Sequence, residues 1–209
     1  MDFHASRQNM VESQVRVNDV TDQALVSAMR KVRRERLCAP SEAFRAYGEV
    51  EPVIAPERYL MAPRDVSKLM QIAEPRAGET ALAIAAPYVA AVLAEAGLKV
   101  TAQEADPRAM AVIEPYLKEL GVATVAQDLK TPVGGDYDVI LVEGSVAEVP
   151  ASWLKALKVG GRLAVVLKDG PVGRARVYLR LTSGYSERDA FDSAPSTLPG
   201  FARAPSFQF

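Results

Sequence analysis

The chain has 209 residues, 49% of them hydrophobic and 24% charged, which is enough to bury a core without staples and excludes disordered or fibrous classes. Its 25 basic and 26 acidic side chains leave a formal charge of -1. No global field therefore draws it to nucleic acid or an anionic membrane, and any partner must be recognised locally.

The opening MDFHASRQNM has no apolar signal core, and the longest apolar run, Ala81 to Ala94, is broken by Pro87 and too short to span a bilayer. Both features predict a cytoplasmic protein. One cysteine, Cys38, and one histidine, His4, exclude an intramolecular disulfide, a Cys/His zinc site and a Cys-His nucleophile pair, so no metal is expected. Cys38, between Leu37 and Pro40, reads as a small buried apolar residue, and His4 as solvated.

The rhythm of the chain divides a single domain, 1–209, into three parts. Residues 1–75 are predicted mainly helical. Ala5 to Val15 puts Met10, Val11 and Val15 on one side; Thr21 caps a second helix with Ala24, Leu25, Ala28 and Met29 inward; a third starts at Pro63 with Val66, Leu69, Met70 and Ala73 inward. Pro40, Gly48, Pro52 and Pro56 mark a loop-rich crossing between them.

Residues 76–168 alternate strand and helix: strands at Thr80–Ile84, Val100–Glu104, Val122–Gln127, Tyr137–Val142 and Arg162–Leu167, helices at Pro87–Ala96, Pro107–Leu120 and around Pro150–Leu157, the last ahead of a Gly160-Gly161 turn. This pattern predicts an α/β fold with a mostly parallel, doubly wound sheet, which binds ligands at the carboxyl ends of its strands. Residues 169–209 predict an antiparallel edge hairpin, Val177–Thr182 with Ser186–Phe191, then an extended tail carrying Pro195, Pro199, Phe201, Pro205, Phe207 and Phe209. Those rings need a surface, in this domain or in a second copy as a homodimer.

Read together, RQNMVESQVRVNDVTDQALVSAMRKVRRERL at the start, YDVILVEGSVAEVP and LKVGGRLAVVL in the core, and LPGFARAPSFQF at the close resemble the bacterial branch of the protein-L-isoaspartate O-methyltransferase family. The resemblance implies a Rossmann-like S-adenosylmethionine-dependent methyltransferase fold. It also implies methylation of misplaced isoaspartyl carboxylates in damaged proteins, a form of protein repair, with S-adenosylmethionine as cofactor and a protein or peptide as partner.

Against that family pattern, ALAIAAPYVAAVLA lacks the glycine-rich donor loop after the first core strand. Ala85, Ala86 and Pro87 form a corner about two residues shorter than the glycine fingerprint. Pro87 removes a backbone donor, and the methyls of Ala85 and Ala86 fill space and resist positive φ. Ala83 stands where the family carries an acid. Glu104 resembles the acid that holds the ribose of the donor, and an alternative reading has Glu104 or Asp106 cap the following helix. Asp128 resembles the residue near the adenine, or else forms an Asx turn. Glu143 and Gly144 would line the same crevice.

On the acceptor side PERYLMAPRDV places Met61 and Ala62 where the family has polar side chains. Arg58 and Arg64 can pair with a substrate carboxylate or lie solvated on the surface. The run Arg30 to Arg36 follows a helix, where cations complement the dipole, and no nucleic-acid partner is expected. Lys168, Arg174, Arg176 and Arg180 read as a solvated face, and Trp153 is left open as core or interface.

These features lead to an expectation of methyl transfer lost or much reduced, with the chain retained as a binding or structural protein. The alternatives are an active methyltransferase with an atypical donor loop, since the reaction needs mainly proximity and alignment, and a module that binds another adenosine compound.

Overall fold

The computed structural model describes residues 1–203; the expectation for Pro205, Phe207 and Phe209 lies outside the described residues. The first helix, α1 (Phe3–Met10), starts at Asp2, whose carboxylate accepts the Ala5 N–H at 3.0 Å. It does not continue to Val15 as predicted but widens into a π-turn at Val11–Val15. That extra residue lets Met10, Val11 and Val15 all point inward, while Gln14 donates to the Tyr47 carbonyl at 2.8 Å.

The second helix, α2 (Gln23–Lys31), is capped by Asp22, one residue after the predicted Thr21. The Asp22 carboxylate accepts from Ala24 and Leu25, while the Thr21 N–H is taken by Gln71. The helix α3 (Pro63–Ile72) begins at its proline as predicted. The crossing between α2 and α3 contains a small hairpin the sequence did not announce, β1 (Val53–Ala55) with β2 (Arg58–Tyr59). Its turn puts Glu57 at φ 62, a conformation usually left to Gly or Asn, which is why the segment reads as loop.

The main sheet holds β3 (Thr80–Ile84), β4 (Lys99–Glu104), β5 (Ala123–Ala126), β6 (Tyr137–Val146), β7 (Leu157–Lys168), β8 (Gly173–Arg180) and β9 (Tyr185–Asp192) in the order β5-β4-β3-β6-β7-β8-β9. The first five positions are parallel and the last two pairings antiparallel. Helices α4 (Pro87–Glu95), α5 (Pro107–Glu119) and the short α6 (Ala151–Lys155) make the crossovers. The fold class therefore stands as predicted, with the chain turning in opposite directions from β3 and β6, the place where such sheets open a crevice.

Boundaries moved where glycine was misread. Gly160-Gly161 is not a turn ahead of β7 but an irregularity inside it. A Cβ on Gly161 would lie 2.6 Å from the Tyr137 carbonyl oxygen, so the strands approach there only because the side chain is missing. The hairpin closes earlier than predicted, through Leu181 to Gly184.

Alternation along the strands splits the core in two. Ala81, Ala83, Val139, Leu141, Ala164 and Val166 face α1 to α5. Leu82, Ile84, Ile140, Val142, Leu163 and Val165 face Trp153, Leu198 and Phe201 on the other side. Helix α4 is buried all round from Pro87 to Leu93, as expected of an apolar helix pressed between the sheet and α2. Among the described residues no helix is long and apolar enough to cross a membrane.

After β9 the chain runs back over the carboxyl end of β6. Ser145 pairs with Thr197, the Leu198 N–H donates to the Ser145 carbonyl at 2.9 Å, and the Ala147 N–H to the Phe201 carbonyl at 2.9 Å. Phe201 lies 5.3 Å from Trp153, ring to ring, and Trp153 donates to the Leu129 carbonyl at 2.7 Å. The first ring of the aromatic tail and Trp153 therefore belong to this chain's own core.

Candidate functional site

The crevice lies where β3 and β6 end side by side. At the end of β3 the chain turns through Ala85 at φ 49 and Ala86 at φ -128 into the N-terminus of α4. The expectation that alanine resists positive φ is corrected here. The corner is over-determined from both sides: the Ala85 N–H donates to the Gln103 carbonyl at 2.8 Å, and the Ala85 carbonyl accepts from Arg58 Nη2 at 2.9 Å. Ladder continuity and that arginine outweigh the roughly 1–2 kcal/mol cost of a left-handed alanine.

Glu143, in β6 one residue past the last pairing with β3, is fully buried. Its Oε1 accepts the Val89 N–H at 2.7 Å, so a side chain of the protein itself supplies the anion at the start of α4, where free N–H groups favour one. Burial pushes the Glu143 carboxyl above its ordinary range, and Arg34 opposes that rise. Gly144 follows at φ 122, and a Cβ there would lie 2.9 Å from the Leu198 side chain. The space between Arg58, Met61, Glu143, Gly144 and Leu198 amounts to about 10 Å³.

Glu104 ends β4 and is 1% exposed; Arg58, from β2, is 2% exposed. They face each other: Arg58 Nη2 donates to Glu104 Oε2 at 2.7 Å, with Nε within 3.3 Å of both oxygens. Glu104 Oε1 also accepts the N–H groups of Ala105 at 2.9 Å and Asp106 at 3.1 Å. The reading of Arg58 as a solvated surface arginine is overturned, because the little hairpin carries it inward onto Glu104. Arg64 stays on the surface, 3.8 Å from Asp65.

Asp106, not Glu104, caps α5, accepting the Arg108 N–H at 2.8 Å. Asp128 is exposed and accepts the Lys130 N–H at 3.1 Å, which is the Asx turn of the alternative reading. Beside Glu104 an open cleft of about 340 Å³ runs past Arg58, Asp106, Asp128, Lys130 and Phe201. The structure thus joins Glu104 to Arg58 and Glu143 to the corner at Ala85, Ala86 and Pro87, sets Asp128 on the cleft beside Glu104, and leaves Arg64 apart.

Other predicted side chains fall into place around this site. Cys38 is buried and its thiol is pushed up to about 11 by burial, which keeps it an inert thiol at neutral pH. In the basic run, Arg30 meets Glu12, Lys31 meets Glu95, and Arg33 and Arg36 meet Glu119, while Arg34 is wholly buried. The solvated-face reading of the edge cations needs correcting for Lys168, which donates to the Pro195 carbonyl at 3.1 Å, and Arg180, which reaches the Leu157 carbonyl. Among the described residues no group of three or more His, Cys, Asp or Glu side chains is placed to hold a metal ion.

The family model for protein-L-isoaspartate(D-aspartate) O-methyltransferase matches residues 5–187. The chain belongs to the protein-L-isoaspartate O-methyltransferase family. It is 32% identical to a protein-L-isoaspartate O-methyltransferase of Methylorubrum populi over 193 residues, covering 88% of each chain, and 32% identical to one of Rhodopseudomonas palustris over 180 residues, covering 83% of this chain and 82% of the other. A solved protein-L-isoaspartate O-methyltransferase superposes with TM-score 0.78 at 21% identity, over 94% of this chain and 67% of that one. Another, from Plasmodium falciparum in complex with S-adenosyl-L-homocysteine, superposes with TM-score 0.74 at 15% identity, over 92% and 97%. Both share the fold.

Sequence reasoning missed Arg34 and Tyr88 as members of this site. Arg34 hides in a basic run, and only the tight turn Arg34–Arg36 swings it inward. Its guanidinium carbon lies 4.6 Å from the Tyr88 ring centre. Tyr88 looked like one more apolar position of α4, and no local pattern separates a buried tyrosine from a core phenylalanine.

Proposed function

We propose that this member of the protein-L-isoaspartate O-methyltransferase family has lost, or nearly lost, methyl transfer and is kept as a binding or structural protein. One observation carries the reading: Glu104 and the start of α4, both expected to meet the donor, already have partners within the chain. Glu104, the counterpart of the ribose acid, holds Arg58; the start of α4, the counterpart of the donor-loop helix, holds Glu143.

A magnitude supports it. Separating one partner from a buried ion pair costs about 3–5 kcal/mol, which lowers affinity by roughly two to three and a half powers of ten. A donor that must expel Arg58 from Glu104 starts with that handicap. The crevice of about 10 Å³ beside Glu143 also leaves no room for a methionine moiety, so the residues present do not fit the cofactor in this arrangement. Protein or peptide ligands, which the family resemblance supports, self-association through the aromatic tail and a cytoplasmic location complete the proposal.

Isothermal calorimetry with S-adenosylmethionine tests it. We expect no saturable heat below millimolar donor; a micromolar Kd overturns the reading. The open cleft of about 340 Å³ beside Glu104 favours a second reading, binding of another adenosine compound. A thermal-shift screen with adenosine, its phosphates and S-adenosylhomocysteine decides that one, since a ligand of the native state raises Tm. An active enzyme with an atypical loop would instead turn an isoaspartyl peptide and labelled donor into a methanol-releasing ester.

A further inference from the structure

Two cavities meet at one side chain. Arg58 and its neighbour Glu57 line both the crevice of about 10 Å³ beside Glu143 and the cleft of about 340 Å³ beside Glu104. One stretch of chain walls the two, Ser196 to Leu198 along the first and Pro199 to Phe201 along the second. Glu57 is exposed, whereas Arg58 is buried, so the Arg58 side chain supplies the partition. The cleft alone is already within the size range of small-molecule sites.

Arg58 comes from the two-stranded sheet of β1 and β2, which is separate from the seven-stranded sheet that carries Glu104. Its Nη2 bridges Glu104 Oε2 at 2.7 Å and the Ala85 carbonyl at 2.9 Å. The other oxygen, Glu104 Oε1, accepts the N–H groups of Ala105 and Asp106. Those backbone donors hold the carboxylate in place without help from Arg58. Oε2, by contrast, is held by Arg58 alone among the described residues. Withdrawing this one side chain therefore leaves an oriented carboxylate with a free acceptor on the cleft, and a free carbonyl beside it. Acceptors so placed suit the hydroxyl donors of a ribose, whereas a phosphate would meet the Glu104 charge.

We infer that Arg58 is an internal plug: the crevice and the cleft are two ends of one pocket for a nucleoside, and the guanidinium stands in the place of a ribose at Glu104. Arg58, rather than the corner at Ala85 to Pro87, sets how tightly the adenosine end binds. This rests on Glu104 being the counterpart of the ribose acid.

Calorimetry with adenosine on the full chain and on its Arg58→Ala variant tests the plug. Because the parent must break a buried ion pair that the variant lacks, Kd should be lower in the variant by a factor of about ten or more. Arg58→Gln, shorter and uncharged, should show a gain in the same direction and serves if Arg58→Ala does not fold. Adding Glu104→Ala should cancel the gain. A gain that survives that second substitution comes from loosened packing and overturns the inference, as does a gain smaller than about tenfold in Arg58→Ala. Failure of the plug is separable from failure of the proposed loss of methyl transfer. A parent that binds S-adenosylmethionine with a micromolar Kd sinks the latter, whereas a parent and variants equally blind to adenosine sink the plug alone and leave the corner as the barrier.

Discussion

At the scale of single residues, Arg58 is where the chain departs most from a binding protein with an open crevice. It contributes no surface charge, because its charge is spent on Glu104, and Nη2 also donates to the Ala85 carbonyl. Arg58→Ala is expected to destabilise the protein by about 3 kcal/mol or more, because Glu104 is then buried without a counter-charge. Adding Glu104→Gln to it should recover much of that loss, and chemical denaturation of the two variants checks both statements. Ala85 gives the opposite sign. At φ 49 a glycine relieves strain, so Ala85→Gly should leave stability unchanged or raise it by up to about 1 kcal/mol, whereas Ala90→Gly inside α4 should cost about 1 kcal/mol. Equal losses at the two positions would show that the corner is not strained.

Among the elements, α4 decides what the site can do. Its first N–H groups would attract an anionic ligand if free, yet Glu143 takes the one on Val89. Burial first, against the pull of Arg34, holds the Glu143 carboxyl above the ordinary value of 4.5. A carboxyl raised in the folded state binds its proton more tightly there than in the unfolded chain. Its contribution to stability is therefore greatest below the unfolded value and is lost as pH rises through the folded one. Unfolding measured from pH 4 upward should show this decline in the parent protein and a flatter profile in Glu143→Gln, which keeps an oxygen for Val89 and does not titrate. Identical profiles would remove Glu143 as the source. The segment over β6 closes the crevice beside Glu143, since Leu198 fills the space that Gly144 leaves and the Glu51 carboxylate accepts from the Ser196 hydroxyl at 2.7 Å.

For the whole molecule, the sheet orders the stability. β3 and β6 are buried almost throughout, whereas most of β9 is exposed and has a neighbour on one side only. Amide exchange should therefore be slowest in β3 and β6 and fastest among the strands in β9, because an edge strand opens without breaching either core. Protection of β9 equal to that of β6 would mean that the outer edge is covered in solution, as self-association along it would do. The near-neutral charge is matched locally, with each exposed cation of the 30–36 run facing a carboxylate.

The sequence by itself determined the parallel core, its helices and the family, because alternation, helical spacing and proline at helix starts are local signals that tertiary contacts only reinforce. It also pointed to Glu104, Glu143 and the corner at 85–87 as one neighbourhood. Only the tertiary structure decided what those residues touch. Arg58 meets Glu104 across 46 residues of chain and Glu143 meets Val89 across 54. Contacts so distant in sequence carry no periodicity, and an arginine is written the same way whether a turn sends it into solvent or into a crevice. The positive φ of Ala85 and Glu57 was hidden for a related reason: strain at a residue is held by its neighbours in space, and these are known only once the chain has folded.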